Sequence, residues 1–274
     1  MQVIEFVLAF IECIRGTLTG RLFSEELRFV WLRVLVCIFL RELVVAGACI
    51  DIMRGLPIIH MNFLGYDEQA HCRGPSSRFA HWALHGIDNC IDRIHNVIKQ
   101  SPNREYDLWV YGDHGQEKTT PYFIAYGRTI EQAVEEFFGK QKDSDEPEAI
   151  VTAMGPLGQI YVKRKLEKAE VELYARRLVD ELKIPLVMVR EDANKATAYT
   201  PKGTFALPDK IADVFGDDHP FLAEFKEDLM RVCDHPDGGE FIIAGWSKGQ
   251  PPISFPLEYG AHAAMGVEET RSFA

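Results

Sequence analysis

From Pro57 to Ala244, apolar runs of strand length alternate with longer stretches whose apolar residues recur at helical spacing. The runs Ile58 to Phe63, Leu108 to Tyr111, Leu186 to Val189 and Glu240 to Ala244 are too short for helices and too apolar for loops. Between the first two, Phe79, Trp82, Ala83, Ile87, Cys90, Ile91, Ile94 and Ile98 share one helical face, behind a cap at Ser76 or Ser77. Glu167 to Leu182 and Phe221 to Val232 repeat the helical pattern. Ala149 to Ala153 and Gln159 to Val162 read as paired strands around Met154-Gly155-Pro156-Leu157-Gly158, and Asn194 to Leu207 as a polar hairpin. Such alternation predicts an α/β fold: a three-layer α/β/α sandwich with a mainly parallel sheet.

The first 56 residues lack strand runs. They predict two helices, about 2–17 and 24–50, with Gly20 near the break, forming an N-terminal segment packed on a core of residues 57–274. Leu27 to Ile50 is very apolar, but Arg33, Arg41 and Glu42 interrupt it. The charge-free runs Val34 to Leu40 and Leu43 to Ile50 fall far short of the roughly 20 residues that a bilayer span needs. Buried core helices are the preferred reading, and membrane association through them is the alternative. Six cysteines lie far apart with no C-x-x-C spacing, which predicts reduced thiols in a cytoplasmic protein. A formal net charge of −11 argues against binding to a nucleic-acid polymer, because phosphate contacts need clustered Lys and Arg.

Three short stretches carry chemistry. In GYDEQAHCRGP, from Gly65 to Pro75, Asp67 and His71 stand four residues apart, so one helical turn or a compact loop aims both at one point. Taken alone, that spacing also fits an ordinary surface Asp and His. In LWVYGDHGQ, Asp113 and His114 follow an apolar run and are bracketed by Gly112 and Gly115, which permit unusual backbone angles. In EYGAHAAMG, His262 stands among small residues. Carboxylate oxygens and imidazole nitrogens are ligands for Zn²⁺ or Mn²⁺. His60, His81, His85, His95, His219 and His235 show no such setting and are read as structural or surface residues. Arg73 and Lys118, each just after a motif, are either solvated or able to meet a phosphate oxygen.

D-x-x-x-H, then D-H-G after a strand-length run, then a late G-x-H, resembles the alkaline phosphatase superfamily, and within it the type I phosphodiesterase/nucleotide pyrophosphatase branch. The resemblance runs from about Pro57 to the C-terminus. It implies metal-dependent hydrolysis of phosphate esters with a small phosphate-ester substrate. It also implies two divalent ions, usually zinc with manganese as the alternative, about 4 Å apart. By the family pattern Asp67, His71 and His262 hold one ion, and Asp113 and His114 the other.

The same pattern includes a strand-borne Asp and a Ser or Thr nucleophile ahead of this part of the fold. Before Pro57 the chain offers only helical sequence, so the nucleophile is expected to be absent and the second site incomplete. The chain then reads as the C-terminal part of a larger catalytic domain, with an N-terminal half missing. The alternatives are a non-catalytic metal-binding remnant, or a phosphomutase, phosphonate hydrolase or sulfatase of the same superfamily.

Overall fold

A computed structural model describes residues 2–18, 23–142, 144–263 and 265–272. The chain divides into two compact units, residues 1–111 and 112–273.

The first unit is helical. It contains α1 (Gln2–Leu18), α2 (Phe23–Leu32), a π-helical segment (Arg33–Leu40), α3 (Arg41–Arg54), α4 (Gly65–Arg73) and α5 (Arg78–Ile98). The break expected near Gly20 lies outside the described residues. Helix α5 begins where the sequence suggested, with the Ser77 hydroxyl accepting the amide of Ala80 at 3.1 Å. Its inner face, Cys90 and Ile94, packs on Val45, Ala48 and Ile52 of α3.

The runs Ile58 to Phe63 and Leu108 to Tyr111 correct the sequence reading, because neither is a strand. Ile59, Met61 and Phe63 do alternate inward onto the α3/α5 cluster while Ile58, His60 and Asn62 face outward. The period is that of a strand, yet a strand exists only through a neighbour's ladder, and no described residue pairs with either run. Ile58 is 72% exposed and Trp109 80%.

The second unit is a three-layer α/β/α sandwich. It opens with β1 (Glu117–Lys118), β2 (Thr120–Pro121), α6 (Tyr122–Tyr126) and α7 (Ile130–Phe138). Next come β3 (Ala149–Met154), β4 (Leu157–Val162), α8 (Lys168–Leu182), β5 (Leu186–Asp192), β6 (Lys195–Thr200) and β7 (Gly203–Leu207). It closes with α9 (Ile211–Phe215), α10 (Leu222–Cys233), β8 (Phe241–Ala244), β9 (Ile253–Ser254), β10 (Gly260–Ala261) and α11 (Val267–Thr270). Six strands form the central sheet in the order β3-β4-β8-β5-β6-β7. On one face Val187, Val189, Phe241 and Ile243 meet α7 and α8. On the other, Leu186, Met188, Ile242 and Ala244 meet α9 and α10. This period-two division explains why β5 and β8 are apolar on both faces.

The α/β class stands, but the mainly parallel sheet does not. Every pairing in the six-stranded sheet is antiparallel, and among the described residues only the short β2/β9 pair is parallel. Tight turns at Gly155-Pro156, Ala193-Asn194 and Pro201-Lys202 reverse the chain and impose antiparallel neighbours. β4 and β5, joined through α8, do run in the same direction. β8 lies between them and opposes both.

Candidate metal centre

In the first unit the candidate ligands Asp67 and His71 stand one turn apart on α4, with His71 Nε2 3.3 Å from Asp67 Oδ1. The opposite face of this helix is tied down. Gly65 abuts Cys37 so closely that a Cβ would sit 3.2 Å from the Cα of Cys37. Gln69 Nε2 donates to Cys37 Sγ at 3.3 Å. Arg73 donates to the buried carboxylate of Glu26 at 2.5 Å. With Gly65, Gln69 and Ala70 buried, Asp67 and His71 are left on the accessible side. Burial pushes the Cys72 thiol up to about 11, so the neighbour of His71 stays a neutral thiol and a poor metal ligand. Arg73, with Glu26 as its partner, serves α4 rather than standing ready for a phosphate.

In the second unit Asp113 and His114 lie on the segment entering β1. His114 Nδ1 is 2.9 Å from the carbonyl of Gly115, and a carbonyl can only accept, so Nδ1 carries the proton. In a neutral ring held this way Nε2 would carry the lone pair that a metal-binding imidazole needs. The Asp113 carboxylate accepts the amide of His114 at 3.0 Å, and its other oxygen lies 3.8 Å from His114 Nε2.

His262 reaches the same place through the β1/β10 pair. Glu117 faces Ala261 and Lys118 faces Gly260, so the next residue of the tail is His262. Its ring stacks on that of His114, with centroids 3.8 Å apart and planes inclined by 28°. Three backbone features hold this arrangement. Gly115 lies so close to the tail that a Cβ would meet the carbonyl oxygen of Glu268 at 1.9 Å, and its amide donates to the Glu269 carbonyl at 2.8 Å. Gly155, at φ +57°, sits under the His262 carbonyl, which a Cβ would approach to 2.8 Å. Ala263 takes φ +66°, a left-handed conformation costing an alanine about 1–2 kcal/mol. His219, a loop histidine in the sequence reading, accepts the Phe221 amide at Nδ1 and donates from Nε2 to the Met265 carbonyl at 3.0 Å. It anchors the tail, and nothing in the sequence marks it for that role. Lys118 is exposed on β1.

Residues 58–228, more than half of the chain, match the family model described as type I phosphodiesterase / nucleotide pyrophosphatase. The chain belongs to that family. The family is part of the alkaline phosphatase superfamily, and membership implies hydrolysis of phosphodiester and pyrophosphate bonds in small phosphate-ester or nucleotide substrates. Its members are typically divalent-metal dependent. Among curated proteins none matches this chain. Carboxylate–imidazole couples such as Asp67/His71 in the first unit and Asp113/His114 in the second are donor types that fit a divalent ion.

Proposed function

We propose that this chain supplies the metal-binding part of a phosphodiesterase that cleaves small phosphate esters. The observation that carries the reading is the stacked pair His114 and His262, one tautomer fixed by a backbone carbonyl, in a chain of this family. By the family pattern, Asp67, His71 and His262 are taken to hold one ion, and Asp113 and His114 the other. Zinc is the ion favoured by the imidazole-rich set. When bound, such an ion polarises a phosphoryl oxygen and stabilises the leaving oxygen.

The chain's own residues orient the ligands. The Gly115 carbonyl holds the His114 ring, the β1/β10 pair presents His262, and the anchored face of α4 directs Asp67 and His71 outward.

We further propose that the Ser or Thr nucleophile comes from a polypeptide segment other than this sequence. Supporting this, the apolar runs 58–63 and 108–111 lead straight into the two carboxylate–imidazole motifs without a ladder partner among the described residues. Six cysteines that form no disulfide among the described residues support a reducing, cytoplasmic setting.

The test is hydrolysis of a nitrophenyl phosphodiester by the isolated, zinc-loaded chain. The expected result is zinc retention with little or no turnover. Robust turnover that disappears in Asp67→Ala would place a nucleophile within these residues and overturn the proposed division. Failure of the folded chain to retain any divalent ion would overturn the metal site itself.

A further inference from the structure

The tail of the second unit runs back over the D-H-G segment and is tied to it in reverse order. The Ser272 hydroxyl donates to the Gly112 carbonyl at 2.5 Å, the Gly115 amide to the Glu269 carbonyl at 2.8 Å, and the Glu268 amide to the Glu117 carboxylate at 2.8 Å. The tail is also closed on itself. Glu269, 4% exposed, accepts the Gly266 amide at 2.5 Å, and the Thr270 hydroxyl donates to the Gly266 carbonyl at 2.8 Å. Gly266 in turn lies against Glu117, where a Cβ would meet Glu117 Cγ at 2.3 Å.

The three ties differ in strength. Those at Gly112 and Gly115 join neutral groups, whereas the tie at Glu117 uses an ionised acceptor, which makes a hydrogen bond roughly twice as strong. Glu117 also stands on β1, opposite Ala261, the neighbour of His262. Its backbone therefore belongs to the ladder that presents one imidazole, and its carboxylate grips the strap that contacts the other. The proton position in a neutral histidine is set by the hydrogen bond its ring makes. For His114 that bond goes to the Gly115 carbonyl at 2.9 Å, so what fixes the Gly115 backbone fixes the ring. We propose that Glu117 is a positioning residue for the His114 imidazole: its carboxylate holds the tail, and the tail holds Gly115. The inference rests on the reading of His114 as a metal ligand and adds to it a side chain that acts through the backbone.

The experiment compares Glu117→Ala and Glu117→Gln with the wild type in the full chain. Glutamine keeps the acceptor oxygen and drops the charge. One readout is the ring ¹⁵N shifts of His114 in the metal-free protein, assigned by their loss in His114→Gln; the other is zinc affinity by chelator competition. Glu117→Ala should lower the share of the Nδ1–H form and weaken zinc by about tenfold or more, the usual loss for an outer-shell partner. Glu117→Gln should match the wild type in both. If Glu117→Ala does not unfold cooperatively, Glu117→Asp, one methylene too short for the Glu268 amide, stands in for it with the same expectation. A lowered stability with an unmoved ring signature overturns the inference, because Glu117 is then merely structural. A Glu117→Gln variant as impaired as Glu117→Ala overturns it too, because charge is then the cause. A wild type that binds no zinc, yet loses the Nδ1–H form in Glu117→Ala, sinks the metal reading and leaves the positioning role standing.

Discussion

The amide of Gly115 donates to the carbonyl of Glu269 at 2.8 Å, in a space where a Cβ would lie 1.9 Å from the Glu268 carbonyl oxygen. The glycine of the D-H-G motif therefore serves contact with the tail that carries His262. Gly115→Ala should cost about 1–3 kcal/mol, the usual penalty of overpacking, if the tail stays docked. Denaturant unfolding measures that cost. Zinc affinity should fall with it, because the obstructed backbone is the one that presents His262.

Removing a ligand should act on metal binding without disturbing the fold. His262→Ala, His114→Ala and Asp67→Asn should each weaken zinc by roughly a hundredfold or more, since loss of even an outer-shell partner costs about 10–100-fold. Competition with a chromophoric chelator reads the affinities. An unchanged affinity in all three variants would remove the proposed centre.

Arg73 and Glu26 form a buried ion pair, and breaking it should leave a charge stranded. Arg73→Met or Glu26→Leu alone should destabilise by about 3–5 kcal/mol, and the double variant by much less. A double-mutant cycle on equilibrium unfolding gives the coupling. Were Arg73 a phosphate ligand instead, Glu26→Leu would leave stability nearly intact.

Burial pushes the Cys233 thiol up to about 12 and the Tyr122 hydroxyl to about 12. Both groups are more easily ionised in the unfolded chain, so their contribution is complete below the ordinary thiol range and is lost as pH rises toward the folded values. Stability should be flat near neutrality and fall above about pH 9, by up to about 1.4 kcal/mol per pH unit for each group. Cys233→Ala should flatten the alkaline limb of stability measured by urea titration.

The helices and hairpins of the second unit are legible because their signals are local. α8 and α10 carry their own apolar faces, and Asn194 marks a tight turn by its tolerance of positive φ. Ile58 to Phe63 misled because its alternation says only that one face is buried, and α3 and α5 bury it as well as a sheet would. Strand direction was illegible for a related reason. β4, α8 and β5 do form a crossover in one direction, but only tertiary structure inserts β8 between them. In the candidate site, Asp113 and His114 stood out through their bracketing glycines. Their relation to His262 depends on a ladder of two residue pairs, β1 with β10, too short to leave a periodic trace. Glu26, the partner of Arg73, is far away in sequence and has no pattern of its own.

The dependence of His114 on β10 has a bearing on biosynthesis. His114 leaves the ribosome before the six-stranded sheet is made, and its stacking companion follows that sheet. A nascent chain thus cannot present both imidazoles to a cation until the residues after that sheet have emerged. Metal capture by the proposed centre then waits for β10 to be made.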